Sequence, residues 1–150
     1  MSLEDDIRQK KFGNEHHKAA INVLYTASWI NSGNTLRLKK HGVTPEQYNV
    51  LRILRGSNPE KLMLAEITSR MIDKNSNATR LVEKLRQKKL VDREVCEDNR
   101  RQVDITITSS GLELMKAVDS EEAQWIDSFR SISKVEAAEL NRILEKLRKP

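Results

Sequence analysis

The 150-residue chain contains a single cysteine, Cys96, so it cannot form an internal disulfide bond. Its first residues, MSLEDDIRQKK, include no apolar segment of the kind that directs secretion. No apolar run elsewhere approaches the length that a bilayer-spanning helix needs. These absences exclude a membrane-spanning protein, and we expect a cytoplasmic location.

The sequence also lacks the motifs of an enzyme active site, because it has no glycine-rich phosphate loop and no nucleophile motif. The adjacent His16 and His17 would point about 100° apart on a helix, without the i, i+4 spacing of helical metal pairs. His41 follows two lysines at a predicted helix end, where cationic side chains are favoured. We therefore expect no catalytic residue, no metal site, no cofactor and no enzyme activity.

Charge and periodic apolar residues are abundant. Charged residues make up 33% of the chain and hydrophobic residues 37%, which is typical of a soluble, helix-rich protein. The chain is long enough for one compact domain, or for a small core with an oligomerisation arm. Lysine and arginine number 27 against 22 acidic residues, and the resulting net charge of +5 favours an anionic partner.

The first half of the chain is predicted to be helical. One long helix is expected from about residue 14 to residue 40, ended by Gly42 in a left-handed conformation. A second helix is expected over residues 45–55, because Thr44, Pro45 and Gln47 provide an N-cap, a first-turn proline and a capping box. Leu64, Ile67 and Met71 follow with the spacing of a short third helix.

The second half combines helices with a β-hairpin. Ala78, Leu81, Val82 and Leu85 form one apolar stripe, which predicts a helix over residues 75–88. Alternating residues then predict strands at 91–95 and 103–107, with a polar tip between them. A long helix from Thr108 to Ile132 and a last helix capped by Ser133 and Glu136 complete the fold. We predict a mainly α protein with a small β-hairpin wing.

Two helices joined by a turn and followed by a hairpin are typical of a winged helix-turn-helix, whose core would run from Leu62 to Ile107. The second helix of this motif enters the DNA major groove. On a helical wheel the polar side opposite the apolar stripe contains the candidate DNA-binding residues Ser76, Asn77, Thr79, Arg80 and Lys84. Arg80 has the geometry to bind guanine and Asn77 to bind adenine. Arg100 and Arg101, at the hairpin tip, suit a minor groove.

Four alternatives remain open from the residues alone. The polar helix face is also consistent with ordinary solvated residues, and the tip is also consistent with a turn in which Asp98 pairs with Arg100. Tyr25 and Trp29 are candidates for an oligomer core and weaker candidates for a ligand pocket. A winged helix also serves in some proteins as a protein-interaction module without DNA binding.

Four segments resemble the MarR (multiple antibiotic resistance regulator) family of bacterial regulators. They are HGVTPEQYNVLRIL at 41–54, SNATRLVEKLRQKKLVDR at 76–93, DNRRQVDITIT at 98–108 and TSSG at 108–111. The resemblance implies an obligate homodimer held by the terminal helices, with recognition helices in major grooves and wings in minor grooves. It also implies a small-molecule effector pocket between the dimerisation part and the DNA-binding part. By motif position, Asp98 and Arg100 correspond to the Asp-x-Arg pair of the wing.

The resemblance implies a single domain over residues 1–150, with a core at about 44–107 and dimerisation helices at about 14–40 and 108–148. The sequence departs from the family at Lys89, where glycine is usual. We therefore expect either a strained left-handed lysine or a remodelled helix end there. Cys96 lies on the hairpin, which disfavours peroxide sensing through a cysteine in the first helix. We predict a ligand-responsive repressor that binds a pseudo-palindromic site in double-stranded DNA.

Overall fold

The computed structural model describes residues 2–149, which are mostly helical with a small antiparallel sheet. The predicted fold class is confirmed. The chain divides into two compact units, the first ending at Leu112 and the second beginning at Glu113. The predicted single-domain span also includes residues 1 and 150, which lie outside the described part of the chain. No helix in residues 2–149 is both long and apolar enough to cross a membrane.

The first unit begins with a short helix, α1 (Leu3–Asp6), and a long helix, α2 (Glu15–Lys39). An ion pair between Glu4 and Lys18 joins them, and the hydrogen bond in this pair lowers the pKa of Glu4. Asn14 caps α2 by accepting the His17 N–H at 2.9 Å. After α2, Gly42 adopts a φ of 72°, the left-handed conformation predicted for it.

Helix α3 (Pro45–Ser57) begins at the capping box predicted from the sequence. Thr44 Oγ1 accepts the Gln47 N–H at 3.1 Å, and Gln47 Oε1 accepts the Thr44 N–H at 3.2 Å. Two further helices complete the helical part of the first unit, α4 (Leu64–Arg70) and α5 (Ala78–Gln87). The centre of the core consists of side chains that are almost fully buried: Val50, Leu51, Leu54, Ile67, Met71, Val82, Leu85, Val91 and Ile105.

The sheet has three antiparallel strands in the order β1 (Leu62–Met63), β3 (Val103–Ile107), β2 (Val91–Val95). The β2–β3 hairpin agrees with the predicted strands, and its register pairs Val91 with Ile107. The short strand β1, which pairs with β3, was not expected. A two-residue strand contains no alternation that a sequence pattern could reveal.

The chain continues through α6 (Ser109–Asp119), α7 (Glu122–Asp127) and α8 (Lys134–Leu147). The prediction of one helix from Thr108 to Ile132 is wrong, because α6 ends at Asp119. Ser120 Oγ donates a hydrogen bond to the Ala117 carbonyl at 2.6 Å, and the Glu121 N–H donates to the Val118 carbonyl at 3.0 Å. These bonds tighten the chain into a turn where the α-helical pattern would have continued.

Candidate nucleic-acid interface

Helix α5 begins at Ala78, three residues later than the predicted start at 75. Asp73 delays the helix, because its Oδ1 accepts the Asn75 N–H at 2.9 Å and its carbonyl accepts the Ser76 N–H at 3.2 Å. Asn77 is the N-cap, and its Oδ1 accepts the Arg80 N–H at 3.1 Å. Side chains of this type compete with the helix for backbone donors, and so they favour turns and caps over helix interiors.

This start changes the geometry of two candidate residues. The prediction that Ser76 points outward is wrong, because the residue precedes the helix and its Oγ is buried. Within residues 2–149 this Oγ has no hydrogen-bond partner. The acceptor oxygen of Asn77 is occupied by the cap, which leaves its amide donors for any further contact.

The remaining candidates on α5 form one exposed polar face. Thr79, Arg80 and Lys84 are all exposed, while Ala78, Val82 and Leu85 on the other side are buried. In the described part of the chain, the side chains of Thr79, Arg80 and Lys84 take part in no hydrogen bond or ion pair. Arg80 and Lys84 are one helical turn apart, so their charges act on the same patch of surface.

The other two cations of α5 and its C-cap, Arg86 and Lys88, already have partners. Arg86 binds Glu83 through two hydrogen bonds of 3.0 and 2.7 Å, and this contact holds the pKa of Glu83 below its usual value. Lys88 donates to the Gly42 carbonyl and to Gln47 Oε1. The open positive charge of α5 is therefore concentrated at Arg80 and Lys84.

Lys89, which follows the C-cap of α5, lies in the left-handed region with a φ of 61°. Its N–H donates to the Arg86 carbonyl at 2.9 Å, and the Leu90 N–H donates to the Leu85 carbonyl at 3.0 Å. These two bonds, with Leu85 and Leu90 both buried, form a Schellman motif. The strained left-handed lysine expected from the departure from glycine is present.

The TSSG segment fixes the corner between this helix end and the sheet. Thr108 Oγ1 donates to the Lys89 carbonyl at 2.8 Å and accepts the Gly111 N–H at 3.0 Å. A Cβ at Gly111 would lie 2.4 Å from the Leu90 carbonyl oxygen, so the position has no space for a side chain. Thr108 and Gly111 therefore hold α5 and the wing in a fixed relation, although neither belongs to the predicted DNA-facing set.

The wing tip is a turn organised by Asn99. Its Oδ1 accepts the Arg101 N–H at 3.1 Å, and its carbonyl accepts the Gln102 N–H at 2.8 Å. Arg100 and Arg101 are both exposed there. Sequence reasoning missed the role of Asn99, although an asparagine two residues before the turn's end is a typical signal for this geometry.

The alternative in which Asp98 orients Arg100 does not occur in this structure. Across residues 2–149, neither side chain forms a hydrogen bond or an ion pair. The ion pair of the wing lies elsewhere, because Lys61 Nζ is 2.5 Å from Glu94 Oε2 on β2. The hydrogen bond from Lys61 to Glu94 raises the pKa of Lys61 and ties the segment before β1 to the wing.

Tyr25 and Trp29, the candidates for a ligand pocket, line an open cavity of about 380 Å³ together with Asp6 and Thr26. Tyr25 is 38% exposed and Trp29 is 56% exposed. Among the residues the structure describes, no group of three or more His, Cys, Asp or Glu side chains is placed to hold a metal ion. His17 has a structural contact instead, since its Nδ1 accepts the Gly13 N–H at 3.2 Å.

Comparison with known proteins supports the resemblance found in the sequence. The MarR family model matches residues 43–103. The HTH-type transcriptional regulator MhqR of Bacillus subtilis (strain 168) is 29% identical over 113 residues, which are 74% of this chain and 75% of MhqR. The match therefore extends beyond the helix-turn-helix into the flanking helices.

Solved structures agree with this assignment. A MarR transcription factor from Planctomyces limnophilus is 26% identical with a TM-score of 0.69, covering 90% of this chain and 98% of that one. The structure of S. aureus MepR with DNA is 22% identical with a TM-score of 0.74, covering 91% and 97%. This second likeness shows a shared fold.

Members of this family regulate transcription and are not enzymes, so the prediction that the chain is not an enzyme is confirmed. The matched region contains α3, α4, α5, β1, β2 and the wing tip. Residues 43–103 thus match the model of the MarR family, and over most of its length the chain is similar to winged helix-turn-helix transcription regulators of that family.

Proposed function

We propose that this protein is a homodimeric repressor that binds a pseudo-palindromic site in double-stranded DNA and releases it when a small molecule binds. The observation that carries the proposal is the exposed face of α5, where Thr79, Arg80 and Lys84 have no partner among residues 2–149. Arg80 is the candidate for bidentate contact with guanine in the major groove. Lys84 and the hydroxyl of Thr79 suit phosphates or base edges.

The start of α5 provides a second type of contact. Donors in the first turn of a helix lack intrahelical acceptors, and the helix dipole adds positive potential there. In α5 the cap on Asn77 uses the Arg80 N–H, which leaves the N–H groups of Ala78 and Thr79 for a phosphate. Ser76 joins this contact only if its buried hydroxyl turns outward on DNA binding. Asn77 contributes its amide donors.

The wing supplies the minor-groove contact. Arg100 and Arg101 are exposed at a narrow tip, where arginine is attracted by the negative potential of a narrow minor groove. Asp98 is exposed beside them, and within residues 2–149 it forms no ion pair with either guanidinium group. We therefore assign Asp98 a positioning role that arises only when the wing meets DNA.

Dimerisation is supported by apolar side chains on the terminal helices that the single chain leaves exposed. Helix α2 has 25 residues, of which Leu38 alone is buried, and α8 buries none of its 14 residues. Exposed apolar residues on α2 include Leu24 and Leu36. Those on α8 are Val135, Leu140, Ile143 and Leu147. An isolated helix of 14 residues, such as α8, is marginally stable in water, so packing against a second copy is a natural source of its stability.

Regulation in this proposal is a shift of population. An effector that binds better to a dimer with wrongly spaced recognition helices lowers DNA affinity without touching the DNA surface. The cavity at Tyr25 and Trp29 is our candidate effector site, because its volume of about 380 Å³ suits a small organic molecule. A DNA target is consistent with the cytoplasmic location expected from the sequence.

The proposal is tested by selecting duplexes from a random pool with the wild-type protein at a fixed salt concentration. We expect enrichment of a dyad-symmetric sequence whose half-sites are about one helical turn, roughly 10 base pairs, apart. Enrichment of sequences without dyad symmetry would contradict the dimeric mode of binding. No enrichment at all would favour the alternative function, a winged-helix module that binds another protein.

A further inference from the structure

Lys88 connects the recognition helix to the corner between α2 and α3. It is the C-cap residue of α5, and its ammonium donates to the Gly42 carbonyl and to Gln47 Oε1, the latter at 3.2 Å. Gly42 follows the end of α2, and Gln47 belongs to the first turn of α3. One side chain at the end of α5 therefore bonds both to the turn after α2 and to the first turn of α3.

The two acceptors of the Lys88 ammonium are held in place by other hydrogen bonds. Gln47 is only 4% exposed, and its Oε1 also accepts the Thr44 N–H at 3.2 Å in the capping box. Gly42 is held in its left-handed turn, where its N–H donates to the Lys39 carbonyl at 3.0 Å. Because the carbonyl end of a helix carries partial negative charge, the end of α2 also attracts the ammonium.

Lys88 differs in this respect from the cations that face outward. Arg80 and Lys84 have no partner in the described residues, whereas the ammonium of Lys88, itself an exposed residue, donates to two protein acceptors. A lysine that uses two of its three donors on protein acceptors must give up an internal hydrogen bond to bind a phosphate closely. Its effect on DNA binding should therefore come through the orientation of α5.

We propose that Lys88 is a positioning residue that sets the angle of the recognition helix against the α2–α3 corner. The inference rests on the proposed DNA-binding function. Loss of the contact frees the C-terminal end of α5 while the Schellman turn at Lys89 and the buried stripe keep the helix folded. The recognition helices of a dimer then spend less time in the orientation that DNA requires. The apparent affinity for DNA falls in proportion to the fraction of dimers that keep that orientation.

The test compares Lys88→Met with Lys39→Met, using the selected duplex over a series of salt concentrations. Lys39 is an exposed lysine at the end of α2, and within residues 2–149 its side chain has no partner, so the control removes the same charge from the same corner. We expect Lys88→Met to weaken binding about tenfold and Lys39→Met less than about twofold. The slope of log affinity against log salt should stay at the wild-type value in Lys88→Met.

Three results would overturn the inference. Equal losses in the two variants would assign the effect to net charge. A slope reduced by about one unit in Lys88→Met would make Lys88 a phosphate contact. Unchanged DNA affinity in Lys88→Met would show that Lys88 does not position the recognition helix. Thermal unfolding followed by circular dichroism establishes that both variants are folded, so that a loss of affinity is read on native protein.

A second measurement does not depend on DNA. If Lys88 acts through Gln47, the variants Lys88→Met and Gln47→Met are coupled, and the double variant is destabilised less than the two single variants together. Additive destabilisation would contradict the contact. A wild-type protein that selects no duplex while the two residues remain coupled would refute the proposed function and leave the structural contact standing. DNA binding with additive effects would refute the inference alone.

Discussion

The cations between Arg80 and Lys88 have different environments, although a sequence shows them as equivalent. Glu83 binds Arg86, and Gln47 and Gly42 bind Lys88. Within residues 2–149, Arg80 and Lys84 have no such partner. Free cations require no internal bond to be broken before they meet DNA, so we expect the largest single-residue effects on binding at these two positions.

Replacing Arg80 by alanine should weaken binding to the selected duplex by about 1–3 kcal/mol and relax base preference, because a bidentate contact with a base is lost. The measurement is a gel-shift titration against the selected duplex and single-base variants of it. Arg86→Ala is the matched control on the same helix, and it should leave base preference unchanged because its guanidinium is bound to Glu83. Unchanged preference in Arg80→Ala would exclude it as the reader.

Lys89→Gly should raise the free energy of unfolding by about 1 kcal/mol, because glycine adopts the left-handed turn without the steric cost that lysine bears. Chemical denaturation of the two proteins measures this difference. Gln87→Gly, two residues earlier and inside α5, should have the opposite sign, since glycine in a helix costs about 1 kcal/mol relative to alanine. Destabilisation in both variants would show that the Lys89 side chain stabilises the turn.

At the scale of elements, the wing is a hairpin whose two ends are fixed differently. Its base is held by the β1–β3–β2 sheet and by the ion pair between Lys61 and Glu94. Its tip is held mainly by the Asn99 turn, and the arginines there remain exposed. A rigid base with an open tip suits an element that must enter a narrow groove at a defined angle.

Arg100→Ala should weaken DNA binding and reduce the slope of log affinity against log salt by about one unit, since one DNA-bound cation is lost. Fluorescence anisotropy over a salt series gives this slope. Lys61→Met provides the contrast, because that lysine already pairs with Glu94 and should leave the slope close to the wild-type value. A wild-type slope in Arg100→Ala would mean that the wing arginine does not contact the duplex.

The elements that could be predicted are those with strong local signals. The capping box at Thr44, the left-handed Gly42 and the hairpin alternation were all read correctly, because each depends on a few neighbouring residues. The errors occurred where a polar side chain competes with the helical backbone for hydrogen bonds. Asp73 delays the start of α5, and Ser120 ends α6, and neither effect changes the apolar spacing on which helix prediction depends.

The candidate site was predictable only in part. The exposure of Thr79, Arg80 and Lys84 follows from helical periodicity, which is a local property. The cap on Asn77 and the buried hydroxyl of Ser76 depend on where the helix begins. The contact of Lys88 with Gly42 joins positions 46 residues apart, and no local pattern in the chain contains it.

At the scale of the whole molecule, the proposed dimer would rely on the terminal helices to set the spacing between two copies of the DNA-binding core. Helix α8 buries none of its residues in the single chain, and α2 buries one. A pattern within one chain cannot specify the geometry between two, so the spacing of recognition helices has to be measured on the dimer.

Truncation after Ile132 removes α8 and should convert the dimer to a monomer, because the apolar residues of that helix provide the proposed contact between copies. Light scattering at several protein concentrations measures the mass. Truncation after Leu147 is the control, since it retains all of α8 and should remain dimeric. A dimeric mass for the shorter protein would assign the interface to α2 instead.

Cys96, the one thiol of the chain, lies half-buried where the wing leaves β2, and its N–H donates to the Gln102 carbonyl at 2.9 Å. The proposed dimer would therefore contain two equivalent thiols, one at each wing. A nitroxide attached to this position would mark both wings without any engineered cysteine, and the electron–electron distance would report how far apart they stand. The same pair of labels could follow the wings as DNA and an effector compete for the protein.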